Sequence, residues 1–325
     1  MRQVLIFGGG GMVGQKLLSR LMADGLNGDR DLQITLHDLA FAGSAPDGVV
    51  QVTGDLAQTG AAAALIQARP DVIFDLASIV SGEAERDFDK GWQVNMFAMW
   101  HLLSAIKAEH AASGGTYCPR LVFTSSIAVF GGPYPDKIDD TFLSAPQTSY
   151  GAQKAVSEAM LSDFSRKGFL EGISIRLPTI TVRPGKPNLA ASSFFSSIIR
   201  EPLNGQTAIL PVPDTVRHWH ASPRSAAGFL THATTLDLGR LEGRRALNMP
   251  GLSCTVAEQI EALRRAAGQS AVDLIRHEPD PEIMRIVEGW PRDFDTVRAH
   301  DLGFVAERSY DEIIAVYMAD DMDGA

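Results

Sequence analysis

The sequence predicts an α/β protein in which a doubly wound parallel sheet is joined to a smaller C-terminal lobe. Residues 4–7 form a short apolar run that leads into a glycine-rich turn, and leucines at helical spacing follow the turn. Further apolar runs begin at Ile34, Val72 and Leu121, with helical patterns between them. Strands that alternate with helices are typical of parallel sheets, because a parallel pair needs a long crossover connection.

Chain length, charge and cysteine content limit what the protein can be. At 325 residues the chain is long enough for one large core with an appended lobe, or for two domains. The net charge of -10 disfavours nucleic acid and anionic membranes, and no apolar run approaches the ~18 residues of a membrane span. Cys118 and Cys254 are too few for a disulfide framework. We therefore expect a soluble, cytoplasmic protein with no nucleic-acid or membrane partner.

The glycine-rich turn has the spacing of a dinucleotide-binding loop. Gly8 permits a tight turn, Gly11 lets the backbone approach a pyrophosphate, and Gly14 lets the following helix pack on the strand. The helix N-terminus then faces the anion, so Met12 and Val13 are also expected to contact it.

An acidic residue ends the second predicted strand, where a ribose contact is expected. A carboxylate at Asp38 can accept hydrogen bonds from both ribose hydroxyls and repels a 2′-phosphate, which predicts NAD rather than NADP. Further along, Asp55 either meets the adenine edge or caps a helix that begins near Gln58, and Leu56 lies beside it.

The next predicted strand, residues 72–78, ends in small and polar side chains. Ligands of open parallel sheets bind beyond the carboxyl ends of the strands, which makes these positions cofactor or substrate contacts. The predicted contacts are Leu76, Ala77, Ser78 and Ser81. The following helix carries Asn95 among apolar neighbours, either as a buried hydrogen-bonded amide or as a group that holds a water relay.

Hydroxyl groups and a tyrosine–lysine pair complete the candidate site. A strand that starts at Leu121 ends in Thr124, Ser125 and Ser126, which it delivers to the ligand edge of the sheet. Tyr150 and Lys154 stand four residues apart, one turn apart on the same face of a predicted helix that Thr148 or Ser149 can cap. A cationic amine near a phenol favours the phenolate, which can then act as a base.

Taken in this order, the motifs resemble those of the extended short-chain dehydrogenase/reductases, the NAD-dependent epimerase/dehydratase superfamily. The motifs cover about residues 1–180, and residues 129–133, 146–151 and 176–188 are similar to those of D-erythronate dehydrogenases within that superfamily. The resemblance implies a Rossmann fold, bound NAD and a homodimer. It also implies oxidation of a four-carbon sugar acid at C2, from D-erythronate to 2-dehydro-D-erythronate.

The resemblance also implies a role for each catalytic candidate. Tyr150 would take the proton from the C2 hydroxyl while hydride leaves for the nicotinamide, and Lys154 would bind the nicotinamide ribose. Ser126, or Ser125 in its place, would stabilise charge on the reacting oxygen. Asn95 would link Lys154 to solvent through water.

The C-terminal part of the chain is expected to hold the substrate. We expect an NAD-binding domain at residues 1–177 with returning segments at about 215–272, and a substrate lobe at 178–214 and 273–310. Arginine suits a carboxylate best, because its fork matches two oxygens. The candidates for this role are Arg183, which we favour, Lys186, Arg200 and Arg217. Other expected substrate contacts are Ser81, Ser126, Thr179, Asn188 and Ser192, and Pro178 is expected to contact the cofactor.

The sequence departs from the motifs of other branches of the superfamily. These departures disfavour the functions of those branches without excluding them. Residues 178–186 replace the Asn-x-Tyr-Gly-Pro stretch of sugar-nucleotide enzymes, and Ile127 and Ala128 stand where dehydratases carry Asp-Glu. Three alternative functions stay open: a sugar-nucleotide epimerase with tightly bound NAD, another sugar-acid or uronate dehydrogenase, and an NAD-binding regulatory protein. His218 and His220 lack a third ligand at a known spacing, so no metal is predicted.

Overall fold

The computed structural model describes residues 1–185 and 191–322, which fold as two compact units. The first unit comprises Met1–Val129, Pro146–Arg176 and Ala227–Leu247. The second comprises Phe130–Ala145, Leu177–Ala226 and Asn248–Ala325. Within the described ranges, no helix is both long enough and apolar enough to cross a membrane.

The elements of the described residues follow one another as alternating strands and helices through most of the chain. The strands are β1 (Arg2–Phe7), β2 (Leu32–Asp38), β3 (Val49–Thr53), β4 (Val72–Asp75), β5 (Arg120–Ser126), β6 (Glu171–Leu177), β7 (Thr179–Ile180), β8 (Ala208–Leu210), β9 (Arg217–Ala221), β10 (Ala246–Asn248), β11 (Leu252–Thr255) and β12 (Ile275–His277). The α-helices are α1 (Met12–Asp24), α2 (Ala61–Ile66), α3 (Ser81–Arg86), α4 (Phe88–Trp92), α5 (Ala98–Ala112), α6 (Ser149–Arg166), α7 (Ser193–Leu203), α8 (Pro223–Ala233), α9 (Val256–Ala267), α10 (Gln269–Val272), α11 (Pro281–Glu288), α12 (Val297–Asp301) and α13 (Tyr310–Asp320). A π-helical turn spans Gln93–Phe97, and short 3₁₀ turns span Ile127–Val129 and Leu238–Leu241.

The first unit is built on a seven-stranded sheet in the order β10, β6, β5, β4, β1, β2, β3. The pairs β3–β2, β2–β1, β1–β4 and β4–β5 are parallel, which confirms the predicted α/β class. Strand order reverses between β1 and β4, and ligands of doubly wound sheets bind at such a reversal. The candidate site is therefore expected at the carboxyl ends of β1, β4 and β5.

One face of this sheet is packed by helices through a continuous apolar core. Phe7, Ile73 and Phe123 come from three neighbouring strands and pack with Leu102 and Leu161 from α5 and α6. These side chains are almost fully buried, which holds the two helices against the sheet. The core thus sets the distance between the strand ends and the face of α6 that carries the tyrosine–lysine pair.

The strand predicted at residues 72–78 is shorter in the structure and ends at Asp75. Its neighbour β1 ends at Phe7, which is paired with Asp75, so β4 loses its partner on that side, while β5 on the other side continues to Ser126. Leu76 still donates one backbone hydrogen bond to the Phe7 carbonyl at 3.0 Å. The segment that follows is held by side chains instead.

The second unit contains a three-stranded sheet, β11–β9–β7, and a parallel pair, β8–β12. In the larger sheet β11 and β9 are antiparallel, whereas β9 and β7 are parallel. Its core packs Phe195 and Ile198 of α7 with Leu263 of α9 and Ile313 of α13. Helix α9 begins with a complete capping box at Thr255 and ends at Gly268.

Candidate functional site

The glycine turn between β1 and α1 leaves no room for side chains. Gly8 has a φ of +76°, and a Cβ there would lie 2.8 Å from the backbone of Leu76 and Ala77. A Cβ at Gly14 would collide with the Gly8 carbonyl oxygen, so the start of α1 packs directly on the turn. Helix α1 begins at Met12 after Gly11. The first N–H groups of a helix have no partner within it, so this cradle fits the pyrophosphate of a dinucleotide.

Asp38 at the end of β2 lies against the glycine turn. Its Oδ2 accepts a hydrogen bond from the Gly10 N–H at 2.8 Å, and its Oδ1 accepts one from the Leu39 N–H at 2.7 Å. These two bonds fix the orientation of the carboxylate beside the loop. The contact of this carboxylate with the ribose of NAD stays a prediction.

Asp55 stabilises a local turn. Its Oδ1 accepts from the Ala57 N–H at 2.9 Å, while α2 begins later, at Ala61 after Gly60. The alternative in which Asp55 caps a helix starting near Gln58 is therefore wrong, because the intervening residues form a turn first. Contacts of Asp55 and Leu56 with adenine stay predictions.

The segment beyond β4 is held by the amide of Asn95. This side chain accepts hydrogen bonds from the Ser78 hydroxyl at 3.0 Å and from the Ile79 N–H at 2.9 Å. It donates to Gln153 Oε1 on α6 at 2.8 Å. Asn95 lies in the π-helical turn and is buried, in agreement with the buried-amide alternative. The π-helical turn thus joins the segment that carries Ala77 and Ser78 to the helix of the tyrosine–lysine pair.

Helix α6 starts with a cap and a close backbone approach. The Thr148 hydroxyl accepts from the Gly151 N–H at 3.1 Å, which confirms the predicted cap. A Cβ at Gly151 would collide with the Ala128 carbonyl oxygen, so only glycine lets the helix start lie this close to the end of β5. This contact brings Tyr150 to the carboxyl end of the strand that carries the hydroxyls.

Lys154 is buried between α6 and β5. Its Nζ donates to the Thr124 carbonyl at 2.9 Å and lies 5.6 Å from the centre of the Tyr150 ring. The same Nζ lies 4.7 Å from the centre of the Phe123 ring. The backbone carbonyl and the two rings thus hold the ammonium in one position beside the phenol.

The two serines at the end of β5 differ in exposure. Ser126 is half-buried, and its Oγ accepts from the Ala128 N–H at 3.2 Å. Ser125 is buried on the opposite face, and within the described part of the chain its hydroxyl has no hydrogen-bond partner. Ser126 is therefore the hydroxyl that a ligand at the strand end can reach more easily.

Asp75 is a buried acid that was not among the residues predicted from the sequence. It ends β4, and its Oδ1 has no hydrogen-bond partner among the described residues. Burial raises the pKa of its carboxyl to about 6, and the positive charge of Lys154 opposes that rise. An aspartate that follows three apolar residues at the end of a central strand was the available signal.

In the second unit, the predicted substrate residues lie on and near the three-stranded sheet. Thr179 starts β7 directly after Pro178, and its Oγ1 lies 2.7 Å from His218 Nε2. Arg183 is half-buried and donates from Nε to the Ile180 carbonyl at 2.8 Å. Lys186 and Asn188 lie outside the described residues.

The other arginine candidates are engaged with protein groups. Arg200 is buried, pairs with Glu201 at 2.6 Å and donates to the Arg183 carbonyl at 2.7 Å. Arg217 donates to the Ser253 carbonyl at 3.1 Å and lies 3.3 Å from a Glu258 oxygen. Arg183 is engaged in the same way through the Ile180 carbonyl, and its role as the favoured carboxylate ligand stays a prediction.

Comparison with known proteins gives the same family as the motifs. Residues 4–222 match the NAD dependent epimerase/dehydratase family. A Cupriavidus necator protein named D-erythronate dehydrogenase is 44% identical over 323 residues, which is 98% of each chain. A Haemophilus influenzae protein of the same name is 37% identical over 320 residues, which is 98% of this chain and 100% of that one.

Solved structures extend the comparison to the fold. A crystal structure from Agrobacterium tumefaciens, described as a nucleoside-diphosphate-sugar epimerase, is 55% identical with a TM-score of 0.95 and covers 100% of this chain and 95% of its own. An L-threonine dehydrogenase from Clostridium difficile has a TM-score of 0.84 at 20% identity, with 98% and 97% covered, and bears on the fold alone. The chain belongs to the NAD dependent epimerase/dehydratase family, and it is an NAD-dependent dehydrogenase that acts on a CH–OH group.

Proposed function

We propose that the enzyme oxidises D-erythronate to 2-dehydro-D-erythronate with NAD. The observation that carries this proposal is the 44% identity, over 98% of both chains, to a protein named for that reaction. A second full-length relative bears the same name. The buried Lys154 beside Tyr150 supports the same chemistry, because the pair suits removal of a proton from an alcohol.

In the proposed mechanism, Tyr150 is the base that takes the C2 hydroxyl proton. When bound, NAD accepts the hydride that leaves C2, so that the alcohol becomes a ketone and one proton is released. Lys154 stabilises the phenolate, since its ammonium is held near the ring by the Thr124 carbonyl, and it binds the nicotinamide ribose. Ser126 donates to the reacting oxygen, a role that its exposure favours over that of Ser125.

We propose two functions for Asn95. Its hydrogen bonds hold Ser78 and Ile79 against α6, which positions the segment expected to face the nicotinamide. It also holds the water that links Lys154 to solvent, as the family resemblance implies. The first function rests on the geometry of this chain, the second on the resemblance.

We assign cofactor binding to the first unit. Asp38 would bind the adenosine ribose and select NAD, because its fixed carboxylate repels a 2′-phosphate. The remaining cofactor contacts that we propose are Gly8, Gly11, Met12, Val13, Gly14, Asp55, Leu56, Leu76, Ala77, Ser78, Tyr150 and Lys154, with Pro178 from the second unit.

We assign most of the substrate contacts to the second unit. Arg183 would bind the carboxylate, and Thr179, Arg217 and Asn188 would bind other oxygens of the acid. Ser81 and Ser126 are the contacts proposed from the first unit. A cytoplasmic homodimer is the state that we propose for the active enzyme.

A panel of four- and five-carbon aldonic acids tests the proposed substrate. NADH formation should be fastest with D-erythronate and absent in the Tyr150→Phe variant. Turnover of a five-carbon acid or a uronate in preference to D-erythronate would replace the substrate and leave the dehydrogenase chemistry standing.

The second candidate is a nucleoside-diphosphate-sugar epimerase, favoured by the description of the 55% identical Agrobacterium structure. An epimerase returns its hydride, so it interconverts sugars without net NADH. Incubation with nucleoside-diphosphate sugars, followed by product analysis, separates the two. Epimerised sugar without NADH, together with no turnover of any aldonic acid, would overturn the proposal.

A further inference from the structure

His218 and Thr179 lie side by side on one face of the three-stranded sheet of the second unit. Strand β7 runs parallel to β9, with Thr179 opposite His220, and strand alternation puts His218 on the same face. Phe195 of α7 covers this face, with its ring stacked on His218 at 5.3 Å and edge-on to His220 at 4.7 Å. Stacking on Phe195 therefore restrains one face of the His218 ring. The hydrogen bonds of its two nitrogens fix how the ring is turned within that plane.

The hydrogen bonds of His218 determine which of its nitrogens carries the proton. Its Nδ1 lies 3.0 Å from the Pro291 carbonyl oxygen, and its Nε2 lies 2.7 Å from Thr179 Oγ1. A carbonyl oxygen can only accept, so Nδ1 is the protonated nitrogen. Burial lowers the pKa of His218 to about 4, so the ring is neutral at physiological pH. Its Nε2 therefore has a lone pair and accepts the hydrogen bond from Thr179.

This hydrogen bond determines which hydrogen bonds the Thr179 hydroxyl can make with a ligand. A threonine hydroxyl has one proton, and here the proton is used in the bond to His218. The oxygen has only lone pairs left, so it can accept from a ligand O–H and cannot donate to a carboxylate or a ketone. Thr179 is half-buried and stands two residues after the carboxyl end of β6, and that end of a parallel strand is where ligands bind.

We propose that His218 is a positioning residue that fixes Thr179 as a hydrogen-bond acceptor for a hydroxyl group of the sugar acid other than the one oxidised. The inference rests on the proposed function, because it takes Thr179 as a substrate contact. It makes the hydroxyl pattern of the substrate, rather than its size alone, a determinant of specificity. A site built to bind a hydroxyl discriminates against the deoxy analogue, because the lone pairs of the Thr179 oxygen then lack a donor.

The tautomer of His218 can be measured without any substrate. Nitrogen-15 NMR of histidine-labelled enzyme, with the His218 signals assigned by their loss in His218→Phe, should give a protonated Nδ1 and an unprotonated Nε2 at neutral pH. An imidazolium, or a proton on Nε2, would overturn the inference, because Thr179 would then accept from the histidine and keep its own proton for the ligand.

Substitution of His218 tests its effect on the substrate. In His218→Phe the ring and its stacking on Phe195 are retained and the acceptor is lost, so KM for the sugar acid should rise about tenfold with a smaller change in kcat. His218→Gln keeps an acceptor within reach of Thr179 and should recover part of the loss. NAD affinity, followed by fluorescence, should stay unchanged in both variants.

His220 offers the matched control. It lies on the same strand face, packs against the same Phe195 ring and is equally buried, but its Nε2 is bonded to Gln259 rather than to Thr179. His220→Phe therefore makes the same chemical change and keeps an aromatic ring in the edge-on contact with His218 at 5.3 Å, while the Thr179–His218 hydrogen bond stays in place. Its thermal stability should drop about as much as that of His218→Phe, while KM stays within about twofold of wild type. An equal rise of KM in both variants would mean that His218 acts only through packing and would overturn the proposal.

A double-mutant cycle separates positioning from packing. Thr179→Val should raise KM about tenfold, and the double variant Thr179→Val/His218→Phe should be no worse than Thr179→Val alone, because His218 acts on the substrate only through the Thr179 oxygen, which Thr179→Val has already removed. Multiplicative losses would contradict the proposal. The cycle applies to whichever CH–OH substrate the wild-type enzyme oxidises, so a failure of the D-erythronate assignment is detected separately, in the wild-type panel.

Discussion

The ammonium of Lys154 lies 5.6 Å from the centre of the Tyr150 ring while it donates to the Thr124 carbonyl at 2.9 Å. The carbonyl anchor comes from β5 and the phenol from α6, so the pair depends on how closely these two elements pack. Lys154 is almost completely buried, which leaves its charge little screened by water. The positive charge therefore acts on the phenol from a fixed position.

Tyr150→Phe should abolish turnover, because it removes the base and leaves the packing of the ring in place. A loss of about 10²–10⁴-fold is the normal range for removal of a general acid or base. NAD affinity, measured by fluorescence titration, should stay within a few-fold of wild type. Retained activity in this variant would remove Tyr150 from the mechanism.

Asp38→Ala should relax the preference for NAD over NADP. The carboxylate that would repel the 2′-phosphate is lost, so the ratio of kcat/KM for the two cofactors should move toward unity. Asp47→Ala removes an exposed carboxylate elsewhere in the same unit and should leave the ratio unchanged. An unaltered ratio in the Asp38 variant would show that this residue does not face the ribose.

Asp75 makes stability depend on pH in the acid range. Its pKa is raised from 3.8 to about 6 in the folded protein, mainly by burial and against the opposing charge of Lys154. Between these values the unfolded chain loses the proton while the folded protein keeps it, so the free energy of unfolding falls as pH rises and levels off above about pH 6.

Asp75→Asn should remove this dependence. The variant should gain stability over wild type as pH rises from about 4 to about 6, on the order of a few kcal/mol by urea denaturation. The exposed Asp47→Asn change should leave the curve parallel to that of wild type. A stability difference between Asp75→Asn and wild type that stays constant over this range would mean that Asp75 has an ordinary pKa.

The buried ion pair between Arg176 and Glu158 ties β6 to the helix that carries Tyr150. Two hydrogen bonds of 2.9 and 2.7 Å join the side chains, and each is only 8% exposed. Arg176→Met leaves the Glu158 charge buried without its partner and should lower the free energy of unfolding by about 3–5 kcal/mol. The exposed pair of Arg166 and Asp163 is the control, since Arg166→Ala should cost no more than about 1 kcal/mol.

Substitution of Trp100 tests the proposed homodimer. Phe97, Trp100 and Val156 are apolar side chains of the π-helical turn, α5 and α6 that are 40%, 47% and 38% exposed. A second copy covering these helices would bury them, so Trp100→Glu should convert the dimer to a monomer in sedimentation experiments. Leu143→Glu, at another exposed apolar position, should leave the assembly intact. A wild-type monomer, or a Trp100→Glu variant that stays dimeric, would contradict this interface.

Local signals account for the parts of the fold that the sequence predicted well. The glycine turn, the Thr148 cap of α6 and the hydroxyls that end β5 each depend on neighbouring residues alone. The predicted end of β4 was wrong, because β4 loses its partner β1 at Phe7, which is distant in sequence, although β5 continues on the other side. Asp75 was missed for a similar reason, since its raised pKa comes from burial by elements elsewhere in the chain.

The sequence by itself determined the chemistry of this protein, because the glycine turn, Asp38 and the Tyr150–Lys154 pair are short-range patterns with a physical meaning at fixed spacing. Only the tertiary structure decided how the groups are held: Lys154 on the Thr124 carbonyl, Asn95 between Ile79 and Gln153, and Thr179 on His218. These contacts join residues that are far apart in the chain, and a hydrogen bond depends on distance and angle in space, which no local pattern encodes.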